Sequence, residues 1–398
     1  MNLLPVDEAL NRILGRVPPV AADRLALSVS AGRVLAAPII ATHDQPPFDA
    51  SAMDGYAVRA GDVADDRWLQ VTGMSQAGAG FAGTLGAGEA VRIFTGAPVP
   101  PGADTVIMQE EAERSGNLVR FTAPARRGHS IRPRGYDFAT GREILAAGTR
   151  LGPFQLAAAA AANAGVVSVA RRPRLALLAT GDELVLPGTP LGPDQIVASN
   201  SVALAASLAP FAHDVRDWGI ARDSRNELDT VLDQIFADAP DIVVTTGGAS
   251  VGEHDLVQAA LLDRGVELDF WRINMRPGKP LMFGSLGNTL VFGLPGNPVS
   301  AMVTSEVFVK PALRHWLGLP QMAPLRLPLL SPTPRNTARR HFMRAQVIAR
   351  EGTTGLLPIT ETDSGHTSSL AMADALIVQP EHDPGQEAGT VVSALEIG

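Results

Sequence analysis

The sequence predicts a multi-domain protein of α/β plus β class. We expect a central three-layer α/β domain with a mostly parallel sheet, an inserted β-rich module and a small C-terminal β domain. The 398 residues exceed the roughly 150 of one typical domain. Apolar runs alternate with helix-like stretches over 171–318, which is typical of a parallel sheet covered on both faces. Glycine turns separate short β-like runs over 41–138, which favours a β-rich module.

The composition excludes several classes of protein. The 33 basic and 41 acidic residues give a net charge of −8 without a basic block, so neither a nucleic-acid protein nor a polybasic membrane binder is indicated. The absence of cysteine excludes disulfide scaffolds, thiolate metal centres and cysteine nucleophiles. The longest apolar run, 156–170, is shorter than the roughly 20 residues of a membrane span, and no signal-peptide pattern opens the chain. We therefore expect a cytoplasmic protein without membrane segments.

Two helical segments flank the β-rich module. Apolar side chains at helical spacing over 5–15 predict an amphipathic helix, and the alanine-rich 154–164 predicts a second one. Because the module over 41–138 is inserted between them, we expect the two helices to pack together in a domain formed by 1–40 and 139–170. The G-x-G-x-x-G spacing at 78–83 precedes a strand-like run instead of a helix, so it predicts β-turns and not a dinucleotide site.

The central α/β domain is predicted over 171–322. Strands are expected over 174–179, 241–246 and 289–293, with helices over 199–210, 224–238 and from 299 onward. Five prolines between 320 and 334 predict a stiff linker. The C-terminal β domain, over 323–398, is predicted from four strand-like runs at 344–350, 356–360, 375–380 and 390–396.

All three predicted central strands end in a polar, glycine-rich turn: TGDEL at 180–184, GGASVGEHD at 247–255 and LPGNP at 294–298. In open parallel sheets the ligand crevice lies outside the carboxyl ends of the strands. Glycine-rich turns that lead into helices suit phosphate, because their free N–H groups and the helix dipole attract negative charge. The turn residues expected in the crevice are Asp182, Glu183, Gly247, Gly248, Ser250 and Asp255.

A cluster of cations strengthens the prediction of an anion site. Arg272, Arg276 and Lys279 occur within eight positions, with no acid between them. Guanidinium groups match phosphate oxygens in bidentate fashion.

Acidic residues near the same crevice predict a divalent metal. Asp182, Glu183, Asp223 and Asp255 supply hard oxygen ligands, and carboxylates beside a phosphate site usually hold Mg²⁺. Each of these acids could instead cap a helix, above all Asp223, which lies just before a predicted helix. The residues thus predict an α/β domain that binds a phosphorylated ligand with Mg²⁺, and they do not name that ligand.

A set of motifs along the chain resembles a known family. The motifs are SAMDGYA (51–57), FTGAPVPPGAD (94–104), RPRGYD (132–137), TGDEL (180–184), GGASVGEHD (247–255), RPGKP (276–280), LPGNPVSA (294–301) and RHFMRA (340–345). In order and spacing they are similar to those of the molybdopterin molybdenumtransferase family, which includes MoeA proteins and the E domain of gephyrin, over nearly the whole chain. The resemblance implies an Mg²⁺-dependent enzyme that inserts molybdate into adenylated molybdopterin, releases AMP and forms molybdenum cofactor.

The resemblance also implies roles for individual residues. Asp54, Thr95 and Asp137 would line the active cleft from the β module. Three acids of the α/β domain would line it too and hold the metal: Glu183, Asp223 and Asp255. The implied substrate-binding residues, together with those of the crevice turns, are Arg272, Arg276, Lys279, Pro295, Pro298, Arg344 and Ser364.

Two features depart from the family pattern. Many relatives carry lysine where this chain has Arg272 and Arg276, which keeps the charge and changes the hydrogen-bond geometry. Tyr136 stands where an acid is common, which removes one possible negative charge.

The resemblance implies a homodimer with composite active sites, and contacts with the molybdopterin adenylyltransferase and with acceptor enzymes. Three other functions stay open. A molybdopterin adenylyltransferase shares the α/β domain but has a GGTG-like turn where this chain has GGASVG. A scaffold of the gephyrin kind would not need the cleft acids or Lys279. A nicotinamide-nucleotide-processing enzyme with a related domain is the third.

Overall fold

A computed structural model describes residues 3–64, 66–247, 256–350, 352–361 and 363–397. The chain forms two compact units. The larger unit comprises Met1–Asp23 and Ala170–Gly398, and the smaller unit comprises Arg24–Val169. The boundaries of the four domains expected from the sequence stay predictions.

The α-helices of the described residues include the four predicted over 5–15, 154–164, 199–210 and 224–238, which confirms those predictions. A π-helical turn, Ser305–Val309, connects the sixth and seventh helices. None of the helices in the described ranges is both long and apolar enough to cross a membrane. The helices are α1 (Val6–Arg16), α2 (Pro153–Ala161), α3 (Ser199–Leu208), α4 (Arg225–Ala237), α5 (Leu256–Asp263), α6 (Pro298–Thr304), α7 (Lys310–Trp316) and α8 (Thr367–Leu370).

The described part of the segment from 22 to 170 is rich in short strands, eight of which lie within 41–138, where a β-rich module is predicted, and four outside it. They are β1 (Ala22–Ala26), β2 (Ile39–Ile40), β3 (Ala50–Ser51), β4 (Gly55–Val58), β5 (Leu69–Ser75), β6 (Glu89–Ile93), β7 (Thr105–Met108), β8 (Ala112–Ser115), β9 (Leu118–Phe121), β10 (Ile131–Arg132), β11 (Glu143–Leu145) and β12 (Val166–Ala170). Six of them form a sheet of order β7-β4-β6-β5-β9-β8, and the others pair as β1-β12, β10-β3 and β11-β2. The glycines at 78–83 lie in and after a turn between Gln76 and Ala79, which confirms the β-turn prediction.

In the described residues, the segment from 174 to 294 contains nine strands, six of which form the central sheet of the larger unit. They are β13 (Arg174–Thr180), β14 (Leu184–Val185), β15 (Ile196–Val197), β16 (Asp214–Ala221), β17 (Ile242–Thr246), β18 (Glu267–Arg272), β19 (Met275–Arg276), β20 (Pro280–Leu286) and β21 (Thr289–Leu294). Its order is β16-β13-β17-β21-β20-β18. The first four strands are mutually parallel, and β20 returns antiparallel to β21.

Side chains of one central strand show why the domain has three layers. Leu175 and Leu177 of β13 belong to a core that includes α1, α3, α6 and α7, whereas Ala176 and Leu178 belong to a second core with α4 and α5. Because successive side chains of a strand point to opposite faces, an unbroken apolar run requires burial on both sides. The three-layer prediction is confirmed.

The packing predicted for the first helix is wrong. Val6, Ala9 and Ile13 of α1 are buried in the core of the larger unit, where α1 contacts α7. The alanine-rich α2 instead buries Ala159 in a separate core of the smaller unit, together with Phe138. The apolar stripe of α1 covers the parallel sheet, because that core offers a large apolar surface next to α7.

The last part of the larger unit forms a second sheet. Its strands are β22 (Leu325–Pro328), β23 (Arg340–Arg350), β24 (Thr353–Pro358), β25 (Ala375–Gln379) and β26 (Val391–Glu396). The order is β19-β23-β25-β26-β22, with β24 paired to β23. The prediction of a linker throughout 320–334 is wrong over Leu325–Pro328, because these residues pair with β26 at the sheet edge, where proline is tolerated. Strand β19 joins this sheet in parallel, with Arg276 opposite His341.

Candidate active site

A cavity of about 760 Å³ lies in the larger unit at the carboxyl ends of β13, β17 and β21. Thr180, Thr246 and Pro295, which end or follow these strands, line it. The cavity therefore lies where the sequence places the ligand crevice, outside the carboxyl ends of the parallel strands.

Gly247 shows why the turn after β17 begins with glycine. Its φ of +89° lies in the left-handed region, and a Cβ atom there would stand 2.3 Å from the carbonyl oxygen of Thr180. Any side chain would therefore push the turn away from the end of β13. Gly247 lines the cavity, as predicted. Gly248, Ser250 and Asp255 lie outside the described residues.

The structure brings three of the predicted acids together. The Asp223 N–H donates to Asp182 Oδ1 at 3.2 Å, which joins the turn after β13 to the loop after β16. Partial desolvation raises the pKa of Asp223, and the neighbouring charges of Asp182 and Glu183 raise it further. Glu183 and Asp223 line the cavity, and Asp182 supports them from outside its wall. This side of the cavity carries an excess of negative charge.

The alternative role of Asp223 as a helix cap is excluded. The N-cap of α4 is Ser224, whose Oγ accepts a hydrogen bond from the Glu227 N–H at 3.3 Å. Glu227 Oε2 in turn accepts from the Arg222 N–H at 3.1 Å. Because Ser224, and not Asp223, caps the helix, the Asp223 carboxylate is available for a ligand.

The predicted cations divide into two groups. Arg276 and Lys279 line the cavity. Arg272 does not, because its guanidinium carbon lies 5.0 Å from the ring centre of Trp271. Arg276 Nη2 lies 3.1 Å from Nδ1 of His341, a histidine with only 5% of its surface exposed.

The LPGNP turn, which leads into α6, lines the cavity. Pro295 and Pro298 line the cavity, as predicted. The Asn297 side-chain amide donates to Ser364 Oγ at 2.9 Å, and the Val299 N–H donates to the Ser364 carbonyl oxygen at 3.1 Å. These bonds bring Ser364, 67 positions from Asn297, into the cavity wall.

Arg344 does not line the cavity, but its side chain binds the loop that does. It is 4% exposed, and its guanidinium donates to the carbonyl oxygens of Glu361, Asp363 and His366 and to Ser369 Oγ. The loop it holds carries Asp363 and Ser364, both of which line the cavity. Arg344 is therefore a positioning residue for this loop.

Several lining residues were not predicted from the sequence. Asn200 is one of them, and its amide donates to the Gly296 carbonyl oxygen at 2.7 Å. Some of these residues lie in or beside motifs of the family resemblance: Asn297 and Ser300 in LPGNPVSA, His341 in RHFMRA, and Arg339 directly before RHFMRA. The unpredicted polar lining residues are Thr180, Ser199, Asn200, Ser201, Thr246, Asn297, Ser300, Arg339, His341 and Asp363.

The predicted residues of the smaller unit form their own group. Asp54 Oδ1 accepts hydrogen bonds from the Thr95 N–H at 2.7 Å and from Thr95 Oγ1 at 2.9 Å. These bonds, and the more distant Arg92 charge, lower the pKa of Asp54, so this exposed carboxylate is ionised at neutral pH. Asp137 is exposed in the loop after β10, which pairs with β3 just before Asp54.

Three family-level sequence models match the chain in order. Residues 4–163 match the MoeA N-terminal region (domain I and II), 176–315 a probable molybdopterin binding domain, and 326–397 the MoeA C-terminal region (domain IV). Molybdopterin molybdenumtransferase from Nostoc is 38% identical over 79% of this chain and 74% of its own length. The enzyme of that name from Staphylococcus aureus is 30% identical over 99% of this chain and 96% of its own.

The chain belongs to the molybdopterin molybdenumtransferase family. Two solved MoeA structures from Pyrococcus horikoshii support the same assignment, with TM-scores of 0.86 and 0.84 at 31% and 29% identity over 99% of both chains. The family resemblance inferred from the motifs is confirmed. The matches over 4–163 and 326–397 favour this family over a molybdopterin adenylyltransferase, which would need only the α/β domain.

The buried His341 predicts a pH dependence of stability. Burial, followed by the charge of Arg276, lowers its pKa from 6.5 to about 4. The charges of Arg344 and Arg339 contribute to this lowering of the pKa, and the side-chain contact with Gln379 acts in the opposite direction. Between pH 6.5 and pH 4, His341 binds more protons in the unfolded chain than in the folded one. The free energy of unfolding therefore falls as the pH is lowered through this range, by about 3 kcal/mol in total.

The test compares urea unfolding of the wild type with that of His341→Asn, which does not titrate there. The variant should lose less stability between pH 7 and pH 4.5 than the wild type, because all other titrating groups are shared. Equal losses in the two proteins would contradict the buried, neutral histidine.

Proposed function

We propose that the chain is a molybdopterin molybdenumtransferase, which inserts molybdate into adenylated molybdopterin, releases AMP and forms molybdenum cofactor. One observation carries the proposal beyond family membership. Glu183 and Asp223 line the same cavity as Arg276 and Lys279, at the ends of the parallel strands. An anion and a cation can therefore bind there side by side.

The cations suit the phosphate part of such a substrate. Separating AMP from the rest of an adenylate breaks a phosphoanhydride, and negative charge develops on the phosphate oxygens. Arg276 and Lys279 offset this charge in a recess, where electrostatic interactions are stronger than in bulk water. They also attract molybdate, which the acids alone would repel.

The acids fit Mg²⁺ as the accompanying metal. Carboxylate oxygens are its preferred ligands. Burial raises the pKa of Asp223, and the charges of Asp182 and Glu183, which a bound cation would offset, raise it further. In the described ranges no group of three or more acids or histidines is arranged as a complete metal site. Mg²⁺ is usually held by one or two carboxylates plus substrate phosphates, so Glu183 and Asp223 suffice, with Asp255 as the third predicted ligand. Bound there, Mg²⁺ would neutralise charge on phosphate oxygens.

The proposal includes a homodimer with composite sites. Asp54, Thr95 and Asp137 belong to the smaller unit, whereas Glu183 and Asp223 belong to the larger one. We propose that each active site combines the smaller unit of one chain with the larger unit of its partner. Contacts with a molybdopterin adenylyltransferase and with cofactor-accepting enzymes, in the cytoplasm, complete the proposal.

The purified chain, mixed with adenylated molybdopterin, Mg²⁺ and molybdate, should release AMP, measured by chromatography. Chelating divalent metal should reduce the release at least tenfold, because the acids and the substrate phosphates would then repel each other. Omitting molybdate should also reduce it at least tenfold, because molybdate is a substrate of the proposed reaction. Restoring Mg²⁺ to the chelated sample serves as the control.

Undiminished AMP release after complete chelation would contradict the metal role. Formation of adenylated molybdopterin from ATP and molybdopterin, without AMP release in the main assay, would favour an adenylyltransferase instead.

A further inference from the structure

Hydrogen bonds hold the segment before β23 next to the strand that carries Arg276. The Asn274 side-chain amide donates to the Ala338 carbonyl oxygen at 3.1 Å, and the Arg340 N–H donates to the Asn274 carbonyl oxygen at 3.1 Å. The next pair along this ladder is Arg276 opposite His341. The backbone pairing therefore places two further side chains, Arg339 and His341, in the cavity wall that Arg276 occupies.

Several arginines elsewhere in the larger unit are paired with acids. Half-buried guanidinium groups approach carboxylates within 3.0 Å in the pairs Arg171–Asp241, Arg174–Asp238, Arg264–Asp229 and Arg340–Asp7. Pairing of this kind offsets the cost of removing a charge from water.

The cavity cations lack such pairs. No carboxylate of the described residues lies within ion-pair distance of Arg276, Lys279 or Arg339, and the buried Nε of Arg276 has no hydrogen-bond partner. Desolvation lowers the pKa of Arg276, and the charge of Arg339 lowers it further, so these two cations repel each other. An anion bound between these cations would reduce their mutual repulsion and accept a hydrogen bond from the unpaired Nε of Arg276.

His341 contacts Arg276 without cancelling its charge. Two groups lie near His341 Nδ1: Arg276 Nη2 at 3.1 Å and Gln379 Oε1 at 3.4 Å. Because a guanidinium can only donate, we assign Nδ1 as the acceptor of the shorter contact, so the neutral ring carries its proton on Nε2 and Nδ1 donates no hydrogen bond to Gln379. A carboxylate at this position would pair with the guanidinium and reduce its attraction for a ligand. A neutral acceptor instead fixes the orientation of the guanidinium and leaves its full charge facing the cavity.

We propose that Arg339 is a substrate-binding residue that forms, with Arg276 and Lys279, a subsite for the oxygens of a phosphate or pyrophosphate group, and that His341 is the positioning residue for Arg276. The subsite itself follows from the unpaired cations of the cavity. It rests on the proposed function only for the identity of the ligand, the pyrophosphate link of adenylated molybdopterin.

Calorimetric titration with inorganic pyrophosphate tests the role of Arg339. In the presence of chelator, so that metal does not contribute, Arg339→Gln should bind pyrophosphate about tenfold more weakly than the wild type, the effect of losing one charge-assisted contact. Arg335→Gln is the matched control, because this exposed arginine of the same segment lies outside the cavity wall. It removes the same charge and should change the dissociation constant less than twofold.

A second set of variants tests the positioning role. His341→Leu removes the acceptor and should weaken pyrophosphate binding about fivefold, whereas His341→Asn keeps an acceptor oxygen and should restore most of the affinity. In an Arg276→Met background, His341→Leu should cause no further loss, because its effect passes through Arg276. A purely structural role would weaken binding equally in both backgrounds. Thermal unfolding verifies that each variant is folded.

The outcomes separate this proposal from the proposed function. Equal affinities of Arg339→Gln and Arg335→Gln, or no pyrophosphate binding by the wild type at millimolar concentration, would overturn the subsite. AMP release that is unaffected by Arg339→Gln would likewise count against the subsite and leave the enzyme activity intact. Binding that depends on Arg339, without AMP release from adenylated molybdopterin, would support the subsite and contradict the proposed function.

Discussion

Replacement of Arg344 by methionine should lower the free energy of unfolding by about 3 kcal/mol and reduce AMP release at least a hundredfold. Methionine fills much of the same space but donates no hydrogen bond. The carbonyl oxygens of Glu361, Asp363 and His366 would lose their shared donor in a region where Arg344 is 4% exposed. The loop that carries Ser364 would then no longer be fixed against Asn297 at the start of α6.

Arg326→Met provides the matched control. Arg326 is exposed on β22 of the same sheet and donates to Ser393 Oγ at 3.1 Å. Its replacement should change stability by less than about 0.5 kcal/mol and leave AMP release unchanged, as for most surface substitutions. The unfolding energy comes from urea denaturation and the activity from chromatography of AMP. If Arg344→Met were fully active, the loop at 361–366 would not need its guanidinium anchor.

The sequence was most informative where burial is complete. Strands β13, β17 and β21 are buried on both faces, so their apolar runs are continuous and easily recognised. Strands β16 and β18 were missed because they lie at the sheet edges, where polar and half-exposed residues interrupt the pattern. The helix α1 was recognised from its apolar stripe, but a stripe does not specify which surface it covers.

In the candidate site, too, some residues have a local sequence signal and others do not. Glu183, Asp223, Arg276 and Lys279 were predicted because each follows or lies in a turn whose motif is local in sequence. His341 is not singled out by the sequence, since nothing local reveals that it pairs with a strand 65 positions earlier. The contact arises from the parallel register of β19 and β23, which only the folded chain displays.

The role of Arg344 likewise depends on contacts that only the folded chain displays. The resemblance implies that Arg344, in the motif RHFMRA, binds substrate. In the structure the side chain points into the protein and binds loop carbonyls, because a buried guanidinium can satisfy several acceptors that a loop cannot pair by itself. A motif therefore identifies a residue near the site without distinguishing a ligand contact from support of a loop.

Mixing two inactive variants should restore activity if the active sites are composite. Asp54→Ala changes the smaller unit and Glu183→Ala the larger unit, so each homodimer should be inactive. In a mixed dimer, one site would carry both changes and the other neither. With subunit exchange at equal concentrations, about half the dimers are mixed and each has one intact site, so AMP release should recover to roughly a quarter of the wild-type value.

Thr95→Ala provides a stringent control, because Thr95 donates to Asp54 within the same unit. A mixture of Asp54→Ala and Thr95→Ala should stay inactive, since every site of the mixed dimer then receives one altered smaller unit. Exchange itself is verified by tagging one variant and co-purifying the other. If exchange occurs and the mixture of Asp54→Ala with Glu183→Ala remains inactive, both residues must act within one chain, because a composite arrangement necessarily leaves one site of each mixed dimer intact.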